Sequence, residues 1–173
     1  MSDRRSFLRG ASVLMGHAAF GQVMTAFAAA PRKATYFTAA ELETVRSLVD
    51  VILPATDSPA ASAADTHYFI DLAMPACASA DAQKTFRAAL KQLGTQKFAS
   101  RAPADQQSLL KARAEADILL PYDQSFFRIL KDYTLTGYFL SEIGATQALA
   151  YERVPGGYQG DVPLAANQKA WAI

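Results

Sequence analysis

The side chains able to do chemistry are few. One cysteine, Cys77, and two histidines, His17 and His67, are the only thiol and imidazoles in the chain. Cys77 and His67 lie ten residues apart on either side of Pro75, a spacing that could form a thiolate–imidazole pair. Nucleophilic catalysis would also need a third, orienting group and an electropositive pocket. Cys77 instead sits among Ala76, Ala78 and Ala80, the setting of a small buried hydrophobe, with an intersubunit disulfide as its other use. His67, beside Tyr68 near a helix start, reads as a capping or surface histidine. A structural zinc site takes four ligands, and haem attachment takes Cys-x-x-Cys-His; one cysteine supplies neither. Two carboxylate pairs, Asp57 with Asp65 and Asp117 with Asp123, have the residue type for acid–base hydrolysis, yet helix caps and turns account for all four. Gly156-Gly157-Tyr158-Gln159-Gly160 follows Pro155 and precedes no helix, so it is a turn, not a dinucleotide fingerprint. Lys and Arg are scattered among carboxylates, which excludes a phosphate-binding surface for nucleic acid.

The strongest local signal is an address. Arg4 and Arg5, then Phe7, Leu8 and Arg9, precede a weakly apolar run from Ala11 to Ala28 that ends in Ala26-Phe27-Ala28. This is the pattern of a twin-arginine secretory leader cleaved after Ala28. Gly16, His17, Gly21, Gln22 and Thr25 interrupt the run, making it a poor membrane span. The chain is formally +1, and removing three arginines and one aspartate with residues 1–28 leaves a net charge of −1. The mature part is then 145 residues, the size of one domain. The twin-arginine route carries folded cargo through its translocase into the periplasm, so something in the mature chain must require folding before export.

The elements that would position these groups are helices. Thr38-Ala39-Ala40-Glu41 has the spacing of a capping box, with Phe37 and Leu42 as its hydrophobic staple. Leu42, Val45, Leu48, Val49, Ile52 and Leu53 then share one helical face until Pro54. Residues 55–65 lack apolar periodicity and read as an ordered loop. A second helix, capped by Asp65 or Thr66, turns Tyr68, Phe69, Leu72 and Ala73 inward and is bent or ended by Pro75. A third opens at Ser79 or Asp81 with Phe86, Leu90 and Leu93 inward. A fourth starts at Pro103, runs to about Asp117, and faces inward through Leu109, Leu110 and Ala114. Leu119-Leu120-Pro121-Tyr122 links it to a fifth, capped by Asp123, with Phe126, Phe127, Ile129, Leu130 and Tyr133 toward the core. From Thr136 onward glycine, proline and aromatics dominate, with one helical turn over 141–147 that fails at Gly144. The expected fold is all-α: one compact bundle of about five helices (29–135) with an irregular tail (136–173) packed on it.

Particular words of the sequence resemble a known family. Phe37-Thr38-Ala39-Ala40-Glu41, the run Ile52-Leu53-Pro54-Ala55-Thr56-Asp57-Ser58-Pro59-Ala60-Ala61, Phe69-Ile70-Asp71, and late in the chain Leu135-Thr136-Gly137-Tyr138-Phe139-Leu140-Ser141-Glu142-Ile143-Gly144 with Val154-Pro155-Gly156 are similar to the gluconate 2-dehydrogenase subunit 3 family. The resemblance implies a non-catalytic small subunit of a periplasmic sugar or polyol dehydrogenase, attached to the inner membrane through its complex. In that family the catalytic large subunit is an FAD enzyme of the glucose–methanol–choline type, and a haem-bearing cytochrome c commonly takes the electrons. The large subunit often lacks a leader, and the small one carries it through the twin-arginine pore. This chain would itself hold no cofactor. Family members usually have Pro-Gly-Ala where this chain has Pro59-Ala60-Ala61, so a positive φ at Ala60 is not expected here. The loop over 55–65 and the segment over 138–164 are the expected partner contacts, with Thr56, Asp57, Tyr138, Phe139, Glu142, Tyr151, Tyr158 and Trp171 as candidates. A different class of function, a stand-alone exported helical protein binding a small ligand between its helices, would need a polar pocket lined by clustered charges.

Overall fold

The computed structural model describes residues 17–29 and 32–151, together with 156–157, 161, 163, 166 and 168–171. Arg4, Arg5, Phe7, Leu8 and Tyr158 lie outside the described residues. Six α-helices appear among them: α1 His17–Ala29, α2 Ala39–Ile52, α3 Thr66–Cys77, α4 Ala80–Thr95, α5 Pro103–Asp117 and α6 Phe126–Phe139. No strand is present among the described residues; a single parallel bridge joins Ala150 to Trp171. The five expected helices are α2 to α6, and the all-α reading holds.

The helix starts follow local chemistry. The Thr38 hydroxyl accepts from the Glu41 N–H, and the Glu41 carboxylate accepts from the Thr38 N–H at 2.9 Å, closing the capping box. Ser79 caps α4 through the Ala82 N–H, and Pro103 occupies the first turn of α5. Two starts differ from expectation. Residues Tyr122–Gln124 form a 3₁₀ turn, so the cap of α6 moves from Asp123 to Ser125, whose hydroxyl accepts from the Arg128 N–H. Asp65 stands at the cap position of α3, but its backbone is left-handed at φ 57° and its side chain makes no cap bond.

α3 packs against α1, α2 and α6. Enclosure on several sides moves its buried face: Phe69, Ile70, Ala73 and Met74 are fully buried with Thr66, His67 and Asp71, while the expected Tyr68 and Leu72 are half-buried. Pro75 is tolerated inside α3, which ends two residues later. Phe37, Phe86 and Phe126 stack in sequence, with centroids 5.8 and 5.0 Å apart, and tie the segment before α2 to α4 and α6. α5 buries only Leu110 and Asp117 and is the outlying helix.

The C-terminal boundary differs from the sequence reading. α6 runs through Gly137 to Phe139, so the line drawn after Leu135 cuts a helix, and the irregular part begins at Leu140. The short turn beyond it is a π-helical one over Gly144–Ala148, which starts at the glycine instead of failing there. A Cβ on Gly144 would lie 1.9 Å from the Tyr138 carbonyl oxygen, which is why the backbone can turn there only without a side chain.

Candidate partner-binding surface

The loop after α2 and the chain after α6 meet. Asp50, near the end of α2, accepts from the Ser62 N–H at 2.8 Å and the Ser62 hydroxyl at 2.7 Å, pinning the loop's 3₁₀ turn Ala61–Ala64. The Leu53 carbonyl accepts from the Ala61 N–H at 3.0 Å. The Tyr138 hydroxyl, 79 positions from its acceptor, donates to the Pro59 carbonyl at 2.8 Å. Tyr138 is only 2 % exposed, which corrects its assignment as a partner anchor: it holds the loop to the end of α6. Ala60 has φ −62°, so the replaced glycine leaves no strain there.

The scaffold presents apolar side chains to solvent at several positions. Phe139 and Leu140, at the end of α6, are exposed beside Glu142, and Tyr151 and Trp171 are 58 % and 54 % exposed. Trp171 is held there by the bridge to Ala150, whose N–H donates to the Ala170 carbonyl at 2.7 Å, and by Lys169, whose ammonium donates to the Gln147 carbonyl. Thr56 and Asp57 are exposed at the loop tip, where the Thr56 hydroxyl donates to the Asp57 carboxylate. A further exposed apolar stretch is the corner between α5 and α6, whose sequence reads as a plain linker. Ile118, Leu119 and Leu120 are all exposed, Leu119 at 92 %. Arg128 donates to the Leu120 carbonyl at 3.1 Å, and the Asp117 carboxylate accepts from the Phe127 N–H at 3.1 Å, so the corner is braced on both sides. Three adjacent aliphatics before a proline were the available signal.

A family model described as gluconate 2-dehydrogenase subunit 3 matches residues 39–156. The chain belongs to that family. No curated protein and no solved structure matches it. The subunit 3 match opens at the first residue of α2 and closes at Gly156, leaving α1 and Trp171 outside.

The polar groups of this subunit 3 chain serve packing. Asp71 is 1 % exposed and accepts from the Thr35, Tyr36 and Phe37 amides and from the Thr35 hydroxyl, at 2.6 to 3.0 Å. The lead-in is further clamped by Arg87, whose guanidinium lies 4.2 Å over the Tyr36 ring and donates to its hydroxyl and carbonyl. Residues 35–37, just before α2, are thus firmly tied down. His67 is buried, not a surface or capping residue; its ring lies 4.3 Å from that of Tyr68, and its Nδ1 and the Thr66 hydroxyl have no hydrogen-bond partner. Burial pushes the His67 pKa down. Burial also pushes the half-buried Cys77 thiol up, away from thiolate reactivity. Three of the four paired carboxylates are engaged in structural contacts: Asp57 holds Thr56, Asp65 holds Arg32, and Asp117 holds Arg113 and the Phe127 N–H; the Asp123 backbone carbonyl accepts from Thr85.

A solvent-open cleft of about 640 Å³ lies between the start of α4 and the Tyr122–Gln124 turn, lined by Asp81, Lys84, Thr85, Tyr122, Asp123 and Gln124 among others. A second, of about 230 Å³, is lined mainly by Leu93, Leu109, Leu110 and Phe126 with their α4 and α5 neighbours. Among the described residues no group of three His, Cys, Asp or Glu could hold a metal ion, and no helix is long and apolar enough to cross a membrane.

Proposed function

We propose that this protein is the non-catalytic small subunit of a periplasmic FAD-dependent sugar or polyol dehydrogenase, acting on a gluconate-, glucose- or glucoside-type substrate, and that it stabilises the catalytic flavoprotein and carries it through the twin-arginine translocase. The observation that carries this reading is the subunit 3 family match across α2 to α6. FAD belongs to the large subunit, a glucose–methanol–choline-type enzyme, and a cytochrome c with its haem receives the electrons. The complex sits on the periplasmic face of the inner membrane. The exposed corner Ile118-Leu119-Leu120 and the exposed Phe139, Leu140, Tyr151 and Trp171 are the apolar groups that a large subunit would cover.

Affinity purification of the tagged full chain from native membranes tests the reading. A yellow flavoprotein of several hundred residues is the expected companion; recovery of the chain alone would favour the stand-alone ligand-binding protein. Replacing Arg4 and Arg5 by lysine should leave dehydrogenase activity in the cytoplasm. Undiminished periplasmic activity would mean that the flavoprotein travels by itself.

A further inference from the structure

The predicted leader is not free of the domain. α1 covers residues 17–29 and lies on α3, with Val23 4 % and Phe27 8 % exposed inside the same core as α2 to α6. The Phe27 ring meets Phe69 edge-on at 5.7 Å. Arg32 closes the contact: its guanidinium lies 4.7 Å over the Phe27 ring, Nη1 donates to the Phe27 carbonyl at 2.7 Å, and Nε pairs with Asp65 at 2.7 Å. The apolar face of the segment is therefore turned to α3, while Gln22 and Thr25 face water.

The expected cleavage point lies within this helix. Ala26, Phe27 and Ala28 are all helical, and Phe27 is buried with its carbonyl held by Arg32. A peptidase that adds water across the Ala28–Ala29 bond needs the chain extended in its own cleft. The rate of such a cut follows the population of the opened form when reclosing is fast. We propose that α1 is a self-docked export segment, sheltered on α3 until it is released, and that processing after Ala28 waits on that release. This rests on the export reading above. In the folded chain the same contact keeps an apolar stretch from water.

Limited proteolysis of the full chain with an elastase-type protease, which cuts after small residues, tests it. Cuts within 17–29 should be at least about tenfold slower than in a free peptide of that sequence. Asp65→Asn, which keeps a residue tolerant of positive φ but releases Arg32, should speed them by about two- to fivefold, as should Arg32→Gln. Val23→Asp should speed them by about tenfold or more. Amide exchange over α2 to α6, measured on the same samples, separates undocking of α1 from general unfolding. In cells, pulse-chase should find the Asp65→Asn precursor processed sooner than wild type. Self-docking is overturned if the wild-type segment is cut as fast as the peptide; the gating role is overturned if the Asp65→Asn precursor matures no sooner. If α1 is protected but the chain with Arg4 and Arg5 replaced still delivers its dehydrogenase to the periplasm, the export reading fails and the docking stands.

Discussion

A buried carboxylate is stable only when its lone pairs are occupied, and Asp71 meets that condition by taking three successive amides and a hydroxyl from residues 35–37. Removing it would strand the buried Phe37 N–H and unpin the Thr35 and Tyr36 donors. Asp71→Ala should therefore cost about 3 kcal/mol or more, read as a fall in Tm of roughly 10 °C. Asp71→Asn should not rescue it, because an amide NH₂ would be set against backbone N–H groups. His67 makes the complementary case of a polar group without a partner. Burial holds its folded pKa below the ordinary 6.5; the nearby Asp65, Asp50 and Glu43 carboxylates pull it up and Arg46 pushes it further down. Below pH 6.5 the unfolded chain binds more protons than the native one. The His67 contribution is thus complete above pH 6.5 and is lost as pH falls below it. Urea midpoints measured across that range should fall with pH for wild type, and His67→Gln should flatten the slope.

At the scale of elements, two close approaches, one in α6 and one in the turn after it, depend on glycine. Midway along its last turns, Gly137 lets the Phe69 ring of α3 come so close that a Cβ would sit 2.5 Å from the ring edge. Phe69 is wholly buried and cannot withdraw. Gly137→Ala should destabilise by about 1–3 kcal/mol through overpacking, even though alanine is the better helix former. Gly144→Ala should cost at least as much, since its clash is with backbone, and thermal melts of the two variants would check both. Tyr138→Phe removes only the bond to Pro59 and should cost about 1 kcal/mol. These positions also mark what the sequence could not disclose. Capping boxes and proline starts are local, so Thr38, Ser79 and Pro103 were readable at once. The end of α6 was not: Gly137, Tyr138 and Phe139 look like tail composition, and only the tertiary approach of Phe69 and Pro59 makes Gly137 and Tyr138 part of a buried helix face. Asp123 lost its cap role to a 3₁₀ turn that no periodicity announces. The burial of α1 and the exposure of Ile118-Leu119-Leu120 were hidden for the same reason, because each is a statement about neighbours distant in the chain.

On the scale of the molecule, the question is which part is scaffold and which part is offered to a partner. A cut after Leu135, suggested by composition, would sever α6 and remove the Tyr138 clamp, so it would unfold the bundle and test nothing about binding. A cut after Leu149 is different. It keeps α6 and the Gly144–Ala148 turn, whose Ile143 and Ala148 pack on the core. Among the described contacts it removes the Ala150–Trp171 bridge with its one backbone hydrogen bond, and the bond from Lys169 to Gln147. Tyr151 and Trp171, which leave with it, are exposed and contribute little to the core. The shortened chain should keep its Tm within a few degrees, at a cost of roughly 1 kcal/mol for the lost bonds. Its hold on the proposed flavoprotein partner should weaken by about tenfold or more if these aromatics are anchors. Leu119→Asp should weaken the same association with no change in Tm, because a residue 92 % exposed has almost nothing to lose on unfolding. Pull-down titrations and melts on both variants decide the matter together. Loss of affinity at constant Tm assigns the surface to the partner; a large fall in Tm after Leu149 would place the tail in the core instead, and unaltered affinity in both would move the docking face elsewhere on the bundle.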